Sequence, residues 1–283
     1  ILAARFSMLL IPLPSLSPSV LNPSPLSFKT IVNVLPLEEN EHITSVLPVN
    51  EFDERVVFMA TRNSIVKRVA LKDFSRPRAN GIIAVDLLDD DELVGTALTD
   101  GEQEIMLFSD IGKAIRFKES DVRVMGRTAR GVRGMKLVNA KVISMQVAKP
   151  EALILTATEH GFGKCTPVED YSTINRGGQG VISIKTTDRN GPVVAAVSVS
   201  PDQEIVLITN KATLVRTRVS EISVVGRNTQ GVKLINVGKG EQVVGLAVVD
   251  IEEDMDEDGV IEGEVIETVN TEESNEAGSG NEE

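Results

Sequence analysis

Arginines recur at two fixed places in this chain. Arg68, Arg116 and Arg216 each close the second of two apolar runs joined by a short polar turn, while Arg127, Arg176 and Arg227 each stand four residues before a glycine. In the third repeat the first place holds Cys165 with Lys164 beside it, and in the first repeat the second place is served by Arg76 and Arg78 around Pro77. Arg130 and Arg133 adjoin the second place. A guanidinium presents rigidly spaced donors that match phosphate oxygens, so cations repeated at a regular interval are suited to a regular polyanion. Together these residues are the candidate contact set for the phosphates of duplex DNA.

Four segments that open with an apolar run must position them: "VVFMATRNSIVKRV" from Val56, "IMLFSDIGKAIRF" from Ile105, "LILTATEHGFGKCT" from Leu153 and "IVLITNKATLVRT" from Ile205. Each later reaches a glycine followed by a second apolar run, at Gly81, Gly131, Gly180 and Gly231, spaced 50, 49 and 51 residues apart. Short runs rich in Val, Ile, Leu, Thr and Phe between Gly-bearing turns predict successive β-strands, and no stretch keeps a helical period. A half unit, "VLPLEENEHITSVLPV" over residues 34–49, aligns with the stretch from Val85. A period near 50 with about four strands predicts an all-β, propeller-like radial array of blades, with about four and a half units visible. The four glycines are expected to take a positive φ, where another residue costs about 1 kcal/mol.

The net charge of −13 points away from nucleic acid only when averaged over the chain. Of the 42 acidic residues 15 lie in 250–283, which holds no Lys or Arg; that leaves 27 acidic against 29 basic residues, or about +2, before it. Three domains are expected: a Pro-rich segment 1–29, unstructured or foreign to the array; the array itself, 30–249; and an acidic, disordered tail, 250–283. Prolines at 12, 14, 18, 23 and 25 break any helix in the leading segment, so it is not expected to span a membrane. Aromatic residues make up 3% of the chain, too few to furnish the stacking platforms that single-strand binders use.

Enzymatic chemistry finds little to work with. One cysteine and two histidines form no metal-ligand spacing and no disulfide framework, so neither metal nor cofactor is expected. "HGFG" at His160 lacks a partnered nucleophile, and "NRGGQG" at Asn175 lacks the Lys-Ser/Thr of a P-loop, so both are expected to be turns. Tyr171, the only tyrosine, is expected to be packed rather than nucleophilic.

The phrases "VFMATRNSIVKR", "IMLFSDIGKAIRFKES", "ILTATEHGFGK" and "TLVRTRVSEISVVGRNTQGVKL" resemble the carboxy-terminal domain of the bacterial DNA gyrase A protein, over residues 30 to about 250. The resemblance implies a six-bladed pinwheel around which duplex DNA is wrapped, supporting ATP-dependent negative supercoiling by a cytoplasmic type II topoisomerase. It implies as partners the rest of the gyrase A protein and the gyrase B protein, with ATP and magnesium belonging to that remainder. This chain departs from the family in having no basic box of Gln, Arg and Gly and no catalytic tyrosine core, so no catalysis of its own is expected. A propeller-like scaffold that binds protein at its rim, or a truncated array without independent function, are the alternative readings.

Overall fold

A computed structural model describes residues 7–12, 43–76 and 81–250; Arg78, most of the leading segment and the tail beyond Asp250 lie outside the described residues. Two strands precede the repeats, β1 (Ser7–Pro12) and β2 (Ile43–Val49), paired in parallel. Within the leading segment the described residues are those of β1. The first repeat contributes β3 (Val56–Thr61), β4 (Ile65–Ala70) and β5 (Leu93–Thr99). The second contributes β6 (Glu104–Ser109), β7 (Lys113–Lys118), β8 (Val132–Arg133) and β9 (Val142–Val147). The third has β10 (Leu153–Thr158), β11 (Phe162–Pro167), β12 (Val181–Ile182) and β13 (Val193–Val199). The fourth has β14 (Glu204–Thr209), β15 (Leu214–Arg218), β16 (Val232–Lys233) and β17 (Val243–Val249).

Each repeat folds its first two strands into an antiparallel hairpin, and its last strand returns to the far side of the first, giving the triplets β5-β3-β4, β9-β6-β7, β13-β10-β11 and β17-β14-β15. The inner strands β2, β5, β9, β13 and β17 follow one another in chain order, each against the next. Ser45 Oγ meets Thr96 Oγ1 at 2.6 Å, joining positions 51 residues apart that the repeat makes equivalent.

Sheets of four strands form as the period predicts, but a repeat and a blade do not coincide. The short strand that follows the repeat glycine leaves its own repeat and completes the blade before it: β8 pairs with β4, β12 with β7 and β16 with β11. The fourth blade keeps three strands among the described residues. This exchange sets the glycine's geometry. Gly81, Gly131, Gly180 and Gly231 have φ of 72°, 116°, 68° and 77°. A Cβ at Gly131, Gly180 or Gly231 would fall 2.6, 2.4 or 2.6 Å from the carbonyl oxygen of Val66, Ala114 or Gly163 on the strand it joins, closer than such atoms approach, whereas Gly81 has open space around it.

Blades bury both faces, which explains why the opening runs are apolar without alternation. On β6, Ile105 and Leu107 pack with Phe58 and Val66 of the first blade, while Met106 and Phe108 pack with Ile154 and Tyr171 of the third. Leu155 and Cys165 likewise meet Ile205 and Leu207. The outward face of β14, with Val206 and Ile208, is only half-buried.

Candidate nucleic-acid interface

The turns before Gly131, Gly180 and Gly231 are built like braced brackets. Arg127 donates from Nη1 to the carbonyl of Ile83 at 3.1 Å, Arg176 to that of Arg133 at 3.2 Å, and Arg227 to that of Ile182 at 3.1 Å. Ile83, Arg133 and Ile182 each stand two residues after a repeat glycine, so one link recurs at three successive junctions: the arginine of a repeat ties its turn to the glycine strand of the repeat before. Arg176 adds a bond from Nε to the carbonyl of Asp121 at 2.8 Å, and Arg227 lies 5.9 Å from the centre of the Tyr171 ring. All three side chains stay partly accessible. A guanidinium with one N–H committed to a carbonyl keeps others free, and a side chain held this way loses little further entropy on meeting a phosphate.

The first place is different, and it corrects the sequence reading. Arg68 is 13% exposed; its Nε donates to the carbonyl of Val122, and its Nη1 lies 3.9 Å from the fully buried Glu119. Glu119 in turn accepts from Thr99 Oγ1 at 2.6 Å and from two backbone N–H groups. Arg116 is 20% exposed, ion-paired with Glu104, and donates to the carbonyls of Val168 at 3.0 Å and Tyr171 at 3.2 Å. Both arginines fasten one repeat to the next. Arg216, at the same place in the fourth repeat, is 61% exposed and ion-paired with Glu204.

Lys164 is also corrected. It is completely buried, and Nζ donates to the carbonyls of Gly226 at 2.6 Å and Arg227 at 2.8 Å. Lys67, one residue before Arg68 as Lys164 is one before Cys165, is buried too and donates to the carbonyls of Ala84, at 2.8 Å, and Arg127. Burial pushes both ammonium groups down to about 8, with Arg127 and Arg227 adding to the fall and Asp86 and Asp170 opposing it. In the repeat between them the same position is Ile115, which lies 3.8 Å from where a Cβ of Gly178 would stand. The two "GR" turns thus rest on a lysine, and the "NRGG" turn rests on an isoleucine. The sequence reading missed Lys67; the signal was its match in spacing to Lys164 beneath the same Gly-Arg pair.

Of the remaining candidates, Arg76 and Arg133 are exposed, and Arg130 is exposed and paired with Asp86 at 3.3 Å. Arg123, also exposed, was missed because it falls four residues before Arg127 rather than at a repeated place. A groove of about 720 Å³ lies between the second and third blades and reaches the fourth repeat's turn, lined by Lys113, Asp170, Ile182, Arg227 and Asn228. Tyr171 is 1% exposed, bonds Ser183 Oγ at 2.8 Å and meets Phe108 edge-on at 6.1 Å. Burial holds its hydroxyl above the ordinary range. Among the described residues no three His, Cys, Asp or Glu side chains are placed to hold a metal ion, and no helix is long and apolar enough to cross a membrane.

The profile of the family described as "DNA gyrase C-terminal domain, beta-propeller" matches four times, at residues 55–100, 103–149, 152–200 and 203–250. The DNA gyrase A protein of Salmonella typhimurium is 57% identical over 241 residues, covering 84% of this chain and 27% of that protein. The Escherichia coli K12 protein of the same name is 56% identical over 220 residues, covering 77% and 25%. The chain thus spans about a quarter of the length of the curated relatives it matches. Among solved structures, the C-terminal domain of DNA topoisomerase IV superposes with a TM-score of 0.73 at 27% identity, covering 78% of this chain and 70% of that one. A DNA gyrase A C-terminal domain superposes with a TM-score of 0.70 at 24% identity, covering 79% and 76%, which establishes the shared fold.

Proposed function

The chain belongs to the DNA gyrase C-terminal domain family, and from that membership we propose that it is a duplex-DNA-binding and wrapping module of a bacterial, cytoplasmic type II topoisomerase. The observation that carries the reading is the arginine bracket repeated at three junctions, which sets partly free guanidinium groups at rotationally equivalent places. Exposed Arg123 and Arg133 widen the cationic path. Phosphate contacts fixed along a curved path bend the duplex and hold it in register without reading bases. DNA held so is wrapped rather than merely bound. The rest of the gyrase A protein, with gyrase B, ATP and magnesium, supplies strand passage; this chain supplies the path and needs no cofactor. Membership of this family supports the DNA reading over that of a protein-binding scaffold.

Titration of a random-sequence duplex at two salt concentrations tests it. Each phosphate neutralised steepens the slope of log K against log salt by about 0.9. An affinity indifferent to salt would sink the proposal.

A further inference from the structure

Three blades are completed by the same joint. A two-residue strand after a repeat glycine pairs antiparallel with the second hairpin strand of the blade before, in one register: Arg133 and Val132 face Ile65 and Val66, Ile182 and Val181 face Lys113 and Ala114, and Lys233 and Val232 face Phe162 and Gly163. Both halves of this joint also occur unpaired among the described residues. β15 has no strand on its outer side, and Gly81–Ile83, the first repeat's version of the glycine strand, pairs with none.

The exposure of β15 shows what a partner would cover. Leu214 is 64% exposed, where the equivalent Val66 and Ala114 are fully buried; Arg216 is 61% exposed against 13% and 20% for Arg68 and Arg116. On the other half, Ile83 is 64% exposed. Gly81 already holds the left-handed φ of the paired glycines, with nothing near the site that a carbonyl occupies at the other three. An edge strand with unpaired N–H and C=O groups is a template for strand addition.

We propose that the Gly81–Ile83 segment of one copy adds to β15 of a second copy of this chain, setting Ile83 opposite Thr213 and Ile82 opposite Leu214, so that copies join head to tail. The contact is heterologous: each joint leaves one β15 and one glycine strand free, so copies add in series until a ring closes. The joint continues the inter-blade interface already repeated in the chain, and it is independent of DNA.

Sedimentation velocity of the 283-residue chain without DNA tests the proposal, with expected masses at multiples of 30.5 kDa that grow with concentration. Gly81→Ala sets a Cβ where the Leu214 carbonyl of the second copy would sit, and leaves the free chain only its φ strain. Leu214→Asp places a carboxylate on the accepting edge. Each variant alone is expected to be monomeric, and their equimolar mixture to give dimers and nothing larger, because a single competent joint remains. Circular dichroism of each variant checks that it is folded. A wild-type chain monomeric at every concentration, or variants that assemble as wild type does, overturns the proposal.

Discussion

Lys164 of the third blade holds the backbone of Arg227 while the side chain of Arg227 holds the strand that closes the second: the buried ammonium donates to the Arg227 carbonyl at 2.8 Å, and the Arg227 guanidinium donates to the Ile182 carbonyl at 3.1 Å. Fixing the turn from beneath and the guanidinium from the side leaves little freedom for the exposed part of the arginine. Lys67 and Arg127 repeat the relationship two blades earlier.

Buried lysines give the fold a pH dependence of definite sign. The folded pKa of Lys67 and Lys164 lies near 8 against 10.5 unfolded, so above pH 8 the unfolded chain binds more protons and stability rises with pH. The buried thiol of Cys165, raised to about 11 from 9.0, acts in the opposite sense above pH 9. Between pH 8 and 9 the wild type should therefore gain about 1 kcal/mol per lysine relative to a Lys67→Met/Lys164→Met variant. Urea midpoints at the two pH values measure the difference; parallel shifts in both proteins would refute it.

Alanine at the repeat glycines should separate strain from collision. Gly81→Ala meets only an unfavourable φ and is expected to cost about 1 kcal/mol, whereas Gly131→Ala or Gly231→Ala also drives a Cβ into a backbone carbonyl and is expected to cost two to three times as much. Chemical denaturation ranks the three, and equal losses would contradict the exchanged-strand geometry.

The two arginine places should respond differently to alanine. Arg116→Ala strips the carbonyls of Val168 and Tyr171 of a donor and unpairs Glu104, an expected loss of about 2–3 kcal/mol with little change in DNA affinity of the folded fraction. Arg133→Ala, at an exposed position, should change stability by less than about 0.5 kcal/mol and lower the salt slope of DNA binding by about 0.9. Thermal melts alongside salt titrations check both halves.

Residues 250–283 carry fifteen carboxylates, and a tethered polyanion is expected to compete with DNA for cations on the same chain. A chain ending at Val249 should bind duplex DNA more tightly than the full chain at low salt, the difference vanishing as screening grows. Equal affinities at low salt would assign the acidic segment to solubility alone.

The glycine and arginine periods announced a bladed all-β array, because a turn that needs a positive φ and a bracket that needs a guanidinium both act locally on residue choice. Gly131, Gly180 and Gly231, with Arg127, Arg176 and Arg227, were legible for that reason. The strand exchange was not, since a 50-residue period looks the same whether the glycine strand stays in its repeat or crosses to the one before. Nor was the burial of Lys164 or Arg116: a cation at a strand end reads as surface unless the carbonyls that receive it, at Gly226, Arg227, Val168 and Tyr171, are known to lie against it. Those acceptors are more than 50 residues away in sequence.

Because the last strand of a blade is encoded in the following repeat, synthesis of the chain runs ahead of its folding. β11 ends at Pro167, and the strand that closes its blade is Val232–Lys233. At bacterial elongation rates that stretch takes roughly 3–13 s to emerge. For that interval the outer edge of β11 stands open beside the ribosome, and β13 (Val193–Val199) joins the other side of the blade part-way through it; an open edge of this kind is a template for strand addition. The order of the repeats therefore sets a clock on assembly: each blade is sealed only once the glycine strand of the next repeat has emerged, and the open edge moves along the chain with the ribosome.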